Sequence, residues 1–347
     1  MDILDPAGLP ERFEDVAALE EFLSRPSQPL IDDMRALPGD ILILGVGGKM
    51  GPTLARLAKR AAPQKRIVAV ARFSEVGLRK KLDSWGVETI ARDLLERAAM
   101  AALPRLPNLI FMAGRKFGSS GAEELTWAMN TWVPSVVAET FAEARIVAFS
   151  TGNVYPFTPV AGPAPTETSA PGADSGEYGM SCLGRERMFQ YFSGLNGAPG
   201  RLLRLNYAVE MRYGVLHDVA AKVWAGEAID LAMGYVNAIW QGDANAQALR
   251  ALRHCTTPAT PLNVSGHETL SIRQLAKDFG LRFRREPVFR GEEAGTALLT
   301  DASLAARLFG PPLVPIERAV AWTADWIARG LPTHAKPTHY DARDGRF

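Results

Sequence analysis

Short apolar runs alternate with stretches of helical spacing over the first 206 residues of the chain. Runs of four to six mostly apolar residues, bounded by glycine or charged residues, are typical of strands buried on both faces of a parallel sheet. The longer stretches 53–61, 123–144 and 177–192 have helical spacing. The predicted strands are 41–44, 66–71, 87–91, 109–113, 145–150 and 200–205. Strands that alternate with helices predict an α/β fold with a doubly wound parallel sheet.

The same pattern divides the chain into four parts. Residues 1–38 precede the first strand and are predicted to form a leader with one helix, which Pro26 and Pro29 end. Residues 39–206 carry the alternating pattern, and 207–330 mix helical pieces with one short predicted strand, which indicates a smaller α+β substrate lobe. The tail 331–347 is polar and aromatic; it is either disordered or docked on the body of the protein or on a partner subunit.

The first predicted strand leads directly into a turn rich in glycine. Gly45, Gly48 and Gly51 have the spacing G-x-x-G-x-x-G, and glycine allows a turn that side chains would block. A helix follows at once. Strand, glycine turn and helix in this order hold a nucleotide pyrophosphate at a helix N-terminus in dinucleotide-binding proteins. The turn therefore favours a Rossmann-type dinucleotide-binding domain over an ordinary tight turn.

The end of the second predicted strand bears on the choice of dinucleotide. In Rossmann folds an acidic residue there binds the adenosine ribose, whereas an arginine accommodates a 2′-phosphate. Here Ala71 is followed by Arg72, Phe73 and Ser74, without an acid. A guanidinium can bind phosphate through two hydrogen bonds. The sequence therefore favours NADP over NAD, the alternative being that Arg72 is an ordinary solvated charge.

Composition and charge mainly exclude certain classes of protein and partner. The 347 residues are 47% hydrophobic and 22% charged, which suits a globular protein with a large core. A net charge of +1 indicates neither nucleic acid nor a membrane surface as a partner. The acidic start lacks the apolar region of a secretory signal, and no apolar run reaches the ~20 residues of a membrane span. With two cysteines and no histidine pair at ligand spacing, we expect a cytoplasmic protein without a metal site.

Further motifs follow the glycine turn in a fixed order. They are Asp93-Leu94 after the third predicted strand, Met112-Ala113-Gly114 at the end of the fourth, Asn130 on the next helix, STGNVY at 150–155 and Tyr178 at the start of the following helix. In this order the chain resembles the extended short-chain dehydrogenase/reductase family, in its NAD(P)-dependent sugar epimerase/dehydratase group. The resemblance covers roughly residues 41–289. It implies a nicotinamide cofactor, a sugar-like substrate and a homodimer through the helices around Asn130 and Tyr178.

The resemblance also implies roles for individual residues. Thr151 matches the Ser/Thr that polarises the substrate oxygen, and Tyr178 matches the acid/base that takes the hydroxyl proton as hydride passes to the nicotinamide. Oxidation, epimerisation and dehydration share this first step. Together with Arg72, the implied cofactor-binding residues are Gly45, Gly48, Lys49, Met50 and Gly51 at the pyrophosphate; Asp93 and Leu94 at the adenine; Ala113, Gly114 and Lys116 under the ribose and pyrophosphate; Asn130, Ser150 and Tyr178 in the active site; and Leu205, Asn206 and Tyr207 beside the nicotinamide.

The sequence departs from the family pattern at Cys182. The family's Y-x-x-x-K helix carries a lysine there, whose charge lowers the tyrosine pKa from its usual ~10, but this helix reads YGMSC. In one hypothesis another cation, Lys116 or the oxidised nicotinamide, assists Tyr178. In a second, Cys182 is itself a thiol acid/base or nucleophile. In a third, the protein is an NADP-binding regulatory or assembly protein with a degraded site. The simplest interpretation of Cys182 itself is that it packs in the core as a small apolar residue.

Three cations in or after the sixth predicted strand are weaker candidates. Arg204, Arg212 and Lys222 have the charge to contact a substrate phosphate. We expect all three to be ordinary surface residues.

Overall fold

The computed structural model of the protein describes residues 2–116, 121–172, 174, 176–336, 338–343 and 345. Within them the N-terminal segment contains two α-helices, α1 (Val16–Leu23) and α2 (Gln28–Ala36). The prediction of one helix in this segment is wrong, because Pro29 does not stop a helix. It lies in the first turn of α2, where the N–H that proline lacks would have no helical partner. Ser27 caps this turn by accepting a hydrogen bond from the Leu30 N–H.

The predicted alternation of strands and helices follows. Its first elements are β1 (Ile41–Leu44), α3 (Gly51–Ala61), β2 (Ile67–Ala71), α4 (Leu78–Ser84), β3 (Glu88–Ala91), α5 (Arg97–Ala101) and β4 (Asn108–Phe111). Every residue of β1, β2 and β4 is buried, as the unbroken apolar runs predict.

The next elements carry most of the catalytic motifs. They are α6 (Glu123–Trp127), α7 (Val133–Thr140), β5 (Arg145–Thr151), β6 (Thr158–Pro159), α8 (Gly176–Asn196) and β7 (Gly200–Leu205). The predicted helical stretch 123–144 is interrupted by a π-helical turn, Ala128–Trp132, which separates α6 from α7, and Pro134 is in the first turn of α7. Single π-turns inside helices are frequent at functional sites, and this one buries Asn130.

The remaining elements are short strands and longer helices. They are β8 (Ala208–Val209), α9 (Val215–Ala225), β9 (Ala228–Asp230), β10 (Tyr235–Val236), β11 (Ile239–Trp240), α10 (Gln241–Arg250), β12 (Thr260–Val264), β13 (Leu270–Ser271), α11 (Ile272–Phe283), β14 (Val288–Arg290), β15 (Thr296–Ala297), α12 (Ser303–Phe309) and α13 (Ile316–Ala328). None of the helices in the described part of the chain combines the length and apolar character of a membrane crossing.

A parallel sheet organises the molecule and fixes where a ligand binds. Among the described residues it has seven strands in the order β12-β7-β5-β4-β1-β2-β3. The order reverses between β1 and β4, and ligands of such sheets bind at the carboxyl ends of the strands beside that point. Strand β12 belongs to the predicted 207–330 lobe but pairs with β7 in the main sheet, so the chain returns to the Rossmann layer after leaving it.

A second core lies beside the sheet and joins both ends of the chain. Phe22 of α1 packs edge-on against Trp322 of α13, with ring centres 5.5 Å apart, and both belong to the same apolar cluster as α9 and α11. Tyr340 is 2% exposed in this cluster. The tail therefore docks on the body of the protein over the residues described; residues 337, 344, 346 and 347 lie outside them.

Candidate active site

The glycine turn after β1 is tightly packed at two of its glycines and open at a third. Gly45 has a φ of +93°, and a Cβ there would lie 2.4 Å from the Ala113 nitrogen. A Cβ at Gly51 would lie 2.1 Å from the Val46 oxygen. By contrast, the nearest atom to a Cβ at Gly48 is the Gly45 oxygen at 3.9 Å. Gly45 and Gly51 thus allow tight packing, whereas Gly48 leaves space above the turn for a ligand.

A cavity of about 270 Å³ lies at the adenosine end of this turn. Arg72 and Arg92 both line it, beyond the ends of β2 and β3. Asp93 lines it as well, 3.9 Å from the Arg72 guanidinium, and accepts a hydrogen bond from the Leu95 N–H. The Arg72 side chain is 71% exposed, so it can turn towards a phosphate at little cost. Two arginines and a carboxylate therefore meet in the cavity where the sequence predicts the adenosine.

The predicted catalytic pair meets at the other end of the turn. Thr151 is the last residue of β5, and Tyr178 lies in the first turn of α8. Their side chains share a hydrogen bond. The Thr151 hydroxyl donates to Asn153 Oδ1 at 2.9 Å, and its oxygen accepts from the Asn153 N–H at 3.2 Å. Two hydroxyls are thereby held together at the wall of one cavity.

The environment of Tyr178 opposes ionisation of its phenol. Burial raises its pKa above the ordinary value, and the Cys182 thiol adds to this effect. The Arg185 guanidinium and the hydrogen bond with Thr151 act in the opposite direction. A phenol in such a site needs a nearby cation before it can take a proton at neutral pH.

Lys116 brings a cation to this position from outside the helix. It follows β4, and its Nζ lies 5.8 Å from the centre of the Tyr178 ring. The same Nζ donates a hydrogen bond of 3.4 Å to the Thr338 carbonyl. Burial lowers the pKa of Lys116 to about 8, while Cys182 and Asp218 act to raise it. Lys116 is therefore largely charged at neutral pH and sits beside the acid/base.

Asn130 holds the loop that carries Lys116. Its Oδ1 accepts hydrogen bonds from the Arg115 N–H at 2.8 Å and from Arg185 Nη2 at 2.7 Å. Its Nδ2 donates to the Arg115 carbonyl at 2.9 Å and to Ser181 Oγ at 3.0 Å. The π-turn thus ties the loop after β4 to α8, and with it Lys116 to Tyr178.

Cys182 lies beneath the catalytic pair. It is 1% exposed and packs with Val154 and Tyr155. Burial raises the pKa of its thiol, so the thiol is protonated at neutral pH. These surroundings favour a packing role for Cys182.

The structure brings most of the sequence-predicted residues to two connected cavities. Those at the adenosine cavity are Gly45, Gly48, Arg72, Asp93, Leu94, Ala113 and Gly114. Those at the larger cavity, of about 770 Å³, are Gly45, Gly48, Lys49, Met50, Gly114, Lys116, Ser150, Thr151, Tyr178, Leu205, Asn206 and Tyr207. Gly51, Asn130 and Cys182 line neither cavity and support the walls from behind.

Several residues of the larger cavity lie outside the sequence-predicted set. Glu20 of α1 reaches it and pairs with Arg212 at 3.0 Å, and His334 and Lys336 reach it from the C-terminal tail. The expectation that Arg212 and Arg204 occupy surface positions is wrong. Arg212 is 7% exposed, and Arg204 pairs with the buried Glu186 at 2.7 Å. No local pattern marks Glu20, His334 and Lys336, because they reach the cavity from the two ends of the chain.

Two comparisons relate this architecture to known proteins. The model of the NAD dependent epimerase/dehydratase family matches residues 41–213. Crystal structures of UDP-glucose 4-epimerase from Thermotoga maritima with UDP-glucose and of UDP-glucuronic acid 4-epimerase from Bacillus cereus with UDP-glucuronic acid and NAD are each 17% identical. Their TM-scores are 0.71 and 0.70, and each match covers 84% of this chain and 99% of the other. No curated protein matches the sequence significantly.

The fold, the glycine turn and the family match all indicate the same class of protein. The protein is an enzyme of the extended short-chain dehydrogenase/reductase type. It belongs to the NAD dependent epimerase/dehydratase family.

Proposed function

We propose that the protein is an NAD(P)-dependent oxidoreductase, epimerase or dehydratase that acts on a hydroxyl or keto carbon of a sugar nucleotide. The observation that carries the proposal is the contact of Thr151 with Tyr178 at the wall of the cavity that begins at Gly45. The UDP-sugars bound to two enzymes of the same fold support this class of substrate. The family match supports the cofactor.

The side chains divide the first step between them. Tyr178 takes the proton of the substrate hydroxyl, while Thr151 holds the oxygen from which that proton leaves. Asn153 fixes the Thr151 hydroxyl through the 2.9 Å hydrogen bond. A bound nicotinamide dinucleotide supplies the hydride acceptor next to that carbon.

We further propose that Lys116 replaces the charge of the family lysine. Its ammonium stabilises the Tyr178 phenolate from the loop after β4 instead of from α8. Arg185 adds a second, fixed positive charge, since its guanidinium donates to the Phe149 carbonyl at 2.7 Å and to Asn130 Oδ1 at 2.7 Å. These two cations are the physical reason why the site can work with Cys182.

NADP is the cofactor that we expect to bind more tightly. Arg72 and Arg92 line the adenosine cavity, where a 2′-phosphate would lie. Charge-assisted hydrogen bonds from guanidinium to phosphate are among the stronger ones in proteins. Asp93 and Glu75 share this cavity and would act against the added charge, so the preference depends on the two arginines.

A homodimer is part of the proposal. The helices around Asn130 and Tyr178 pack on each other and expose large apolar side chains: Trp127 is 37%, Trp132 41%, Met180 37% and Tyr191 62% exposed. A second copy of the chain would cover this face.

Sedimentation tests this part of the proposal. The wild type should be a dimer that Trp132→Glu converts to a monomer, and Leu281→Glu on distant α11 is the matched control. A monomeric wild-type protein would contradict the proposed dimer.

The second candidate is an NADP-binding regulatory or assembly protein with a degraded site. It is favoured by the absence of the family lysine at Cys182. Calorimetric titration with NADP and NAD, followed by incubation with UDP-glucose, UDP-glucuronic acid and other sugar nucleotides, separates the two. Binding with turnover supports the enzyme, binding with turnover only in Cys182→Lys supports the degraded site, and failure to bind either cofactor contradicts both.

A further inference from the structure

The N-terminal leader supplies part of the wall of the larger cavity, although it precedes the first strand of the sheet. Val16 and Glu20 of α1 are one helical turn apart, and both line this cavity. Elsewhere the helix is buried in the second core through Leu19, Phe22 and Leu23. The family model begins at residue 41, so the leader lies outside the part of the chain that this model matches.

The Glu20 carboxylate joins two segments of the cavity wall. One of its oxygens pairs with Lys81 Nζ of α4, and the other pairs with Arg212 Nη1 at 3.0 Å. Lys81 lies between β2 and β3 of the parallel sheet, whereas Arg212 follows β8, outside that sheet. All three residues line the larger cavity. The Glu20 and Arg212 side chains are 9% and 8% exposed, so salt and water screen their pairing little.

Arg212 is held in place by its own segment as well. It lies in a tight turn in which the Glu210 and Tyr213 backbones pair in both directions, with N–H to carbonyl distances of 3.1 and 3.2 Å. The Glu210 carboxylate accepts hydrogen bonds from the Arg212 N–H and from its Nε, each at 2.8 Å. Glu20 therefore binds a guanidinium whose position is already fixed.

Lys81 lies close to the place where the two cavities meet. Glu75 and Leu78 line both the adenosine cavity and the larger cavity. Lys81 follows Leu78 by three residues on α4, which places the two on the same helical face. A dinucleotide that extends from one cavity into the other has its middle at this junction, next to the pair of Lys81 with Glu20.

We infer that Glu20 is a positioning residue for the cofactor. By joining Lys81 to Arg212 it keeps the cavity wall closed beside the middle of the dinucleotide, and release of the cofactor requires this bridge of three residues to open. The inference rests on the proposed function, because the dinucleotide is the cofactor that the family match supports. Each oxygen of Glu20 pairs with one cation, so the carboxylate is neutralised next to the phosphates.

Glu21, the next residue of α1, provides a matched control. It pairs with Arg60 of α3 at 2.8 Å and with Arg25 at 2.7 Å. Among the described residues that line the two cavities, neither Glu21 nor Arg60 occurs. Glu21→Gln thus weakens ion pairs of the same helix without a change at the cavity wall.

The rate of cofactor release tests the inference. The protein is loaded with NADPH or NADH and mixed with excess oxidised cofactor, and the loss of nicotinamide fluorescence is followed by stopped flow. Glu20→Gln should speed release by at least about tenfold, because loss of one partner of a buried charge pair acts mainly on dissociation. Glu21→Gln should stay within about twofold of the wild type, since its partners lie away from the cavity.

A double-mutant cycle distinguishes the bridge from a general loss of stability. Lys81→Met breaks the bridge at a side chain that is 38% exposed, so this variant should fold. The double variant should release the cofactor about as fast as Glu20→Gln alone, because both changes open the same bridge. Melting temperatures measured without cofactor show that each variant is folded.

Three results would overturn the inference while leaving the proposed function intact. They are a wild-type release rate in Glu20→Gln, release in Glu21→Gln as fast as in Glu20→Gln, and additive effects of Glu20→Gln and Lys81→Met. A wild-type protein that binds no nicotinamide cofactor would contradict the proposed function and this inference with it.

Discussion

The ammonium of Lys116 lies 5.8 Å from the centre of the Tyr178 ring, although 62 residues separate the two in the chain (178 − 116). In the family pattern the cation that assists the tyrosine lies one helical turn away on the same helix. Here we propose that it comes from the loop after β4, which Asn130 ties to α8. A single substitution in α8 thus need not remove the charge that the chemistry requires.

Lys116→Met should lower kcat by roughly tenfold to a thousandfold, because an opposite charge shifts a pKa by about one to three units and a unit is worth ~1.36 kcal/mol. Cofactor affinity should change much less. The pH profile identifies the cause: the charged form of Lys116 is lost as the pH rises through its pKa of about 8, so wild-type kcat should fall above that pH. Lys116→Arg should move this decline to higher pH, and an unchanged decline would contradict the assignment.

Arg72→Ala should weaken NADP binding about tenfold and leave NAD binding within about twofold. The loss corresponds to ~1.4 kcal/mol, in the range of a hydrogen bond to a charged group. Arg35→Ala, on exposed α2, is the control. Equal effects on the two cofactors, measured by calorimetry, would mean that Arg72 does not contact a 2′-phosphate.

Cys182→Ala should retain activity within about threefold, because the thiol is buried and neutral. Alkylation of the native protein, followed by peptide mass spectrometry, should leave Cys182 unmodified. A loss of more than a hundredfold in both Cys182→Ala and Cys182→Ser would instead support the hypothesis of thiol chemistry.

Asn130→Ala should destabilise the protein by about 2–6 kcal/mol, since it leaves the Arg115 N–H without its acceptor and removes one acceptor of the Arg185 guanidinium, at roughly 1–3 kcal/mol for each group. Denaturant unfolding measures this difference. Asn196→Ala, at the exposed end of α8, should stay within about 0.5 kcal/mol. An equally small loss of stability in both variants would show that the hydrogen bonds of Asn130 do not stabilise the protein.

The sheet and the cofactor turn were predictable from sequence because each depends on local pattern. Strands β1 and β2 are unbroken apolar runs, and Gly45 and Gly51 follow β1 directly. Helix α2 was not predicted, because Pro29 is a stop signal by composition and a first-turn residue in the fold.

The cation set of the site was only partly predictable. Lys116 follows a strand end, where sequence reasoning looks for ligands. Lys336 and Glu20 reach the cavity from the two ends of the chain, and the packing of Phe22 on Trp322 brings those ends together. Contacts between residues so far apart leave no periodic signal in a single sequence.

The central claim is that Tyr178 removes the substrate proton in a site that holds NAD(P). The most direct measurement is the absorbance of reduced nicotinamide in a single turnover, with cofactor-loaded protein mixed with UDP-glucose or UDP-glucuronic acid. We expect reduction in the wild type, and reduction slowed by at least about a hundredfold in Tyr178→Phe at unchanged cofactor affinity, as for loss of a general base. Reduction at the wild-type rate in Tyr178→Phe would contradict the account, and reduction seen only in Cys182→Lys would favour the degraded site.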